Sequence, residues 1–137
     1  MASENVELMS RALDAFNRRD RETWVSFCDP EIENVPPRNW PESDPIRGAD
    51  AVFDFYVEAQ AAWGEGSRSY RYAELVEVGA DKVAGLVQGE LSGKASGATV
   101  PWTYWQVATF RAGKVTRIQW FTEKHEAFEA AGIVPPT

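Results

Sequence analysis

The sequence predicts an α+β fold: a strongly curved, mostly antiparallel sheet wrapped around three helices from the first half, with a short helix at the end. Three observations predict it. Apolar residues recur at helical spacing in the first half, and four alternating segments with short glycine-containing breaks fill the second. The length, 137 residues, suits one domain (1–137) with a single core.

The first helix carries Val6, Met9, Leu13 and Phe16 as one apolar stripe, with Ser3 placed to cap it and Glu4 and Glu7 near its positive end. Asn17-Arg18-Arg19 breaks that pattern. Asp20 can cap a short second helix, whose face holds Trp24, Phe27 and Cys28 and whose end falls at Asp29-Pro30. Residues 31–35, EIENV, alternate as a short strand. PPRNWPESDPIRG is a loop carrying Trp40. A third helix over 49–63 presents Val52, Tyr56, Ala59 and Trp63, and Gly64 stops it.

SYRYAELVEV, DKVAGLVQGELSG, TVPWTYWQVATFR and KVTRIQWFT then read as an antiparallel meander. In the last of these, Ile118 and Trp120 share one face, and Arg117 and Gln119 the other. Thr122 is placed to cap a final helix over 123–131, ended by Gly132. A bent sheet closing over the helical stripes leaves a hollow between them.

Composition narrows the function classes. The net charge of −7, with Lys and Arg scattered, gives little drive for binding nucleic acid. No apolar run is long enough to span a membrane. One cysteine and one histidine cannot build a cysteine-rich or multi-histidine zinc site, and a lone cysteine fits a reducing cytoplasm. No cofactor or metal is expected. The unusual feature is aromatic: six Trp, seven Phe and four Tyr.

AFNRRD followed by CDPEIENV, then PIRGADAVFDFY, ATFRAGKVTRIQWF and EKHEAFEAAGI resemble the SnoaL-like branch of the nuclear transport factor 2-like superfamily. The resemblance spans nearly the whole chain. It implies a cystatin-like cone, a deep pocket and a homodimer. The fold hosts isomerases, polyketide cyclases, hydrolases and non-catalytic binders alike, so it does not assign an activity. Ketosteroid isomerases of this fold pair a carboxylate base with a tyrosine and a protonated aspartate. Alignment on the motifs puts Val35, Ala12 and Thr103 at those positions, and none of them can abstract a proton. Gln106 stands where SnoaL-like relatives often carry histidine.

His125 falls on the solvated face of the last helix and is expected at the surface. Glu33 and Tyr56 are the candidate catalytic groups: a carboxylate in an aromatic cavity could act as general base, and a tyrosine could present its hydroxyl. The candidate pocket comprises Phe16, Trp24, Asn34, Val35, Trp40, Tyr56, Thr103, Trp105, Ile118 and Trp120, with Gly85 and Gly89 leaving room for a ligand. Alternation leaves open which of Glu33 and Asn34, and which of Trp105 and Gln106, faces inward. Outward aromatics such as Tyr104 and Phe121 motivate the dimer. The preferred reading is a binder of a small, mostly apolar or aromatic molecule. The alternatives are a cofactor-independent isomerase, cyclase or hydrolase, or a non-catalytic protein-binding module.

Overall fold

A computed structural model describes residues 4–37, 44–62, 70–92 and 99–132. Ser3, Trp40, Trp63 and Gly64 lie outside them. The helix α1 (Glu4–Asn17) ends where Arg19 takes a left-handed backbone, φ 57°, letting Asp20 N–H reach back to Ala15 O at 2.9 Å. The Arg19 guanidinium lies over the Phe16 ring at 4.5 Å, covering the end of the stripe.

The helix α2 (Arg21–Ser26) is capped by Asp20, whose carboxylate accepts from Thr23 N at 3.2 Å and Thr23 Oγ1 at 2.7 Å. It stops before the Asp29-Pro30 pair that was expected to end it. The strand β1 (Cys28–Val35) begins three residues earlier than the alternation suggested. Pro30 is tolerated there because its pairing with the neighbouring strand is interrupted between Cys28 and Glu33.

Next come β2 (Ile46–Arg47), α3 (Ala49–Ala62), β3 (Arg71–Val78), β4 (Lys82–Ser92), β5 (Thr99–Arg111), β6 (Lys114–Phe121) and α4 (Lys124–Ala131). The two-residue β2 carries no periodic signal and was not anticipated. Glu123, not Thr122, occupies the position before α4, and its side chain makes no capping bond. Gly132 ends that helix with φ 90°, as the glycine signal implies.

The six strands form one sheet in the order β2-β1-β6-β5-β4-β3. The β1–β6 pair is parallel and every other pair is antiparallel. Register shifts at Tyr72/Glu74 and Thr109/Phe110 are bulges of the kind that bend strands, and they accompany the curvature.

The two faces of the sheet do different jobs. The concave face buries Ile32, Val83, Ala108 and Ile118 against Met9, Phe16, Trp24, Val52 and Phe53 of α1–α3. The convex face buries Ala84, Trp105 and Val107 against Ala127 and Ala131 of α4. Tyr104 and Phe121 therefore do not form the outward aromatic surface expected of them. Tyr104 belongs to the concave side, where its ring meets Trp120 edge-on, and Phe121 packs against the α4 cluster.

Candidate ligand-binding cavity

Between the concave face and the helices lies a cavity of about 100 Å³. That is the scale of the roughly 150 Å³ apolar cavities that hold benzene. Helices α1 and α2 contribute Phe16 and Trp24, α3 contributes Phe55 and Tyr56, and the sheet contributes Ile118 and Trp120. Edge-to-face contacts lock these rings to one another: Phe16–Tyr56 at 5.9 Å, Trp24–Tyr56 at 6.0 Å and Tyr56–Trp120 at 5.9 Å between centroids. Such a wall is stiff and flat-sided.

One polar knot fixes this corner. Tyr56 donates its hydroxyl to Asn34 Oδ1 at 2.5 Å, and Trp120 Nε1 donates to the same oxygen at 2.8 Å and, at 3.3 Å, to the Tyr56 hydroxyl oxygen. Two donors on one oxygen set the amide's orientation. They leave Asn34 Nδ2 fully buried and, among the described residues, without a partner. Asn34 is the inward residue of the Glu33/Asn34 pair, but it supports the wall from behind and does not line the cavity.

A second polar pair lies on β3 and β5. The Tyr72 hydroxyl donates to Gln106 Oε1 at 2.6 Å. The Tyr72 ring reaches it by crossing Gly85, where a β-carbon would come within 3.0 Å of the ring. Gly85 thus makes room for Tyr72 and not for a ligand, correcting the expectation. Gln106 is buried in the cavity wall, and Trp105 is the outward residue of that pair.

Three more expectations fail on parity. Trp105 packs edge-on against Phe128 of α4 at 5.4 Å, on the convex side. Thr103 is exposed, two residues along the same convex row. Val35 pairs with Gln119 on that face and does not reach the cavity. Glu33 also points away: Arg47 Nη2 donates to it at 3.0 Å, and Arg117 Nε stands 3.3 Å from its other oxygen. His125 is exposed.

Tyr72, Gln106 and Tyr104 are cavity residues missing from the candidate set. A glycine inside a strand signals a close approach, and Gly85 could have pointed to Tyr72. The bulge beside Tyr72 hid it from simple alternation.

The chemistry of the wall is neutral. Burial pushes the Tyr56 and Tyr72 hydroxyls above the usual phenol range, with the Trp120 hydrogen bond opposing the shift at Tyr56. Burial also pushes the Cys28 thiol up to about 12, against a small opposing pull from Lys114. All three stay protonated at neutral pH. No lining side chain among the described residues is a carboxylate, imidazole, amine or guanidinium. The wall can exclude water, stack and donate hydrogen bonds; it offers no group that ionises near neutrality.

Comparison with known proteins agrees with the architecture. Bal32a, from a soil-derived mobile gene cassette, superposes with a TM-score of 0.74 at 17% identity, covering 93% of this chain and 95% of its own. TerC, co-crystallised with polyporic acid, gives 0.69 at 23% identity, with 95% and 99% covered. RV0760c from Mycobacterium tuberculosis, in complex with estradiol-17beta-hemisuccinate, gives 0.69 at 16% identity, with 90% and 97% covered. At these identities the likeness establishes the fold alone. No curated protein matches the chain. The sequence profile of the SnoaL-like domain matches residues 9–118, and the chain belongs to that family.

Proposed function

We propose that this SnoaL-like chain binds a small, mostly apolar molecule in the aromatic cavity. The observation that carries the reading is the aromatic and aliphatic cavity wall, with no ordinarily charged group among its described residues. Such a wall favours apolar surface at roughly 25 cal/mol per Å² removed from water. That two relatives of the same fold take small molecules, polyporic acid and estradiol-17beta-hemisuccinate, supports it.

Proton-transfer catalysis has less support. Glu33 is turned to the convex face, and the Tyr56 hydroxyl is already committed to Asn34. The reading also takes the protein as a cytoplasmic homodimer. Sedimentation at micromolar concentration tests that part, and a monomer there refutes it.

Native mass spectrometry of the protein as expressed, with a thermal-shift screen of planar aromatic and polyketide-like compounds, tests the central claim. A co-purified mass or a saturable rise in Tm supports binding. An empty cavity with no stabilising compound overturns it. Glu33→Gln should leave any ligand affinity unchanged and alter stability by no more than about 1 kcal/mol, as partly exposed ion pairs contribute little.

A further inference from the structure

The Gln106 amide is 5% exposed and sits in the cavity wall. Its oxygen is occupied by the Tyr72 hydroxyl, while its nitrogen has no partner among the described residues. Unlike Asn34 Nδ2, that nitrogen is not sealed away from open space. A buried N–H pair facing a hollow is a recognition element waiting for an acceptor, because leaving such donors unmade is costly.

Three other polar groups of the wall are already used: the Tyr56 hydroxyl donates to Asn34 Oδ1, the Tyr72 hydroxyl to Gln106 Oε1 and the Cys28 thiol to Trp24 O. No cationic side chain lines the cavity among the described residues, so a carboxylate would lose its hydration and gain no counter-ion.

We infer that the cavity selects uncharged ring compounds bearing a carbonyl oxygen, with Gln106 Nε2 donating to that oxygen. The inference rests on the ligand-binding reading above and names the class of molecule it takes. Tyr72 is a positioning residue here: by holding Oε1 it turns the nitrogen toward the ligand. Gly85 admits the ring that does so.

Calorimetric titration of the full chain with toluene, acetophenone and benzoate, single-ring probes on the scale of the cavity, tests the inference. The expected result is that the ketone binds roughly fivefold tighter than the hydrocarbon, the scale of one net hydrogen bond, and that the carboxylate binds weakest. Gln106→Leu should abolish the ketone's advantage over the hydrocarbon. Gln106→Met repeats the test with a more flexible side chain, and circular dichroism confirms that each variant is folded. If neither variant folds, the ranking of the three probes on the wild-type chain decides. Equal affinity for ketone and hydrocarbon overturns the inference, as does a ketone advantage that survives in a folded variant. So does a carboxylate that binds as tightly as the ketone. Failure of all three probes is a different result: it defeats the ligand-binding reading and takes this inference with it.

Discussion

Asn34 shows how much one side chain can hold. Its oxygen is the shared acceptor for Tyr56 of α3 and Trp120 of β6, so it ties the helix layer to the sheet across the cavity's corner. Asn34→Ala strands the Tyr56 hydroxyl and leaves Trp120 Nε1 only its longer 3.3 Å bond to the Tyr56 oxygen, and should cost about 2–3 kcal/mol in chemical denaturation. Tyr56→Phe removes one donor and leaves Trp120 paired, and should cost only about 1 kcal/mol. Equal losses in the two variants would show that the shared oxygen is not the origin of the effect. The unpaired Nδ2 is the counterweight, since a fully apolar corner would carry no such orphan.

At the scale of elements, two predictions concern joints. Gly85 of β4 lies under the Tyr72 ring of β3, so Gly85→Ala must push that ring aside. It should cost about 1–3 kcal/mol, as overpacking does, and it should weaken ketone selectivity along with stability. The cap of α2 gives a pH signature. Its hydrogen bonds to Thr23 hold the Asp20 carboxyl below its usual value of 3.8. A lowered folded value means the contribution is present above the unfolded pKa and fades as pH falls through the folded one. Asp20→Asn keeps an acceptor for the helix but cannot titrate. Its urea midpoint should therefore fall less than the wild type's between about pH 5 and pH 2.5. Elements were also the legible level of the sequence. The stripe Met9–Phe16, the Asp20 cap and the glycine breaks of the meander are local signals, and local physics fixed them. The site was less legible because it depends on parity. In β5 large aromatic residues occupy both faces, so Trp105 and Gln106 looked interchangeable. Only the packing of α4 on one side decides between them. Bulges beside Tyr72 and Pro30 defeat counting by twos in the same way.

For the whole molecule, binding and stability are one measurement. A ligand at about 100 times its Kd adds about 2.7 kcal/mol to the folded state. For a domain of this size that is a Tm rise of roughly 10 °C. A compound that binds by calorimetry without raising Tm would be binding the unfolded chain as tightly as the folded one. The parallel pairing of β1 with β6 has a further consequence, for the order of assembly. Cys28 is matched to Val115, so the first strand finds its inner neighbour only after nearly all the intervening chain exists. Contacts of such long range are slow to form. Until they do, Trp24 and Tyr56 have no opposite bank to close against. A nascent chain on the ribosome would display these rings to solvent, or to a chaperone, until the final strand emerges.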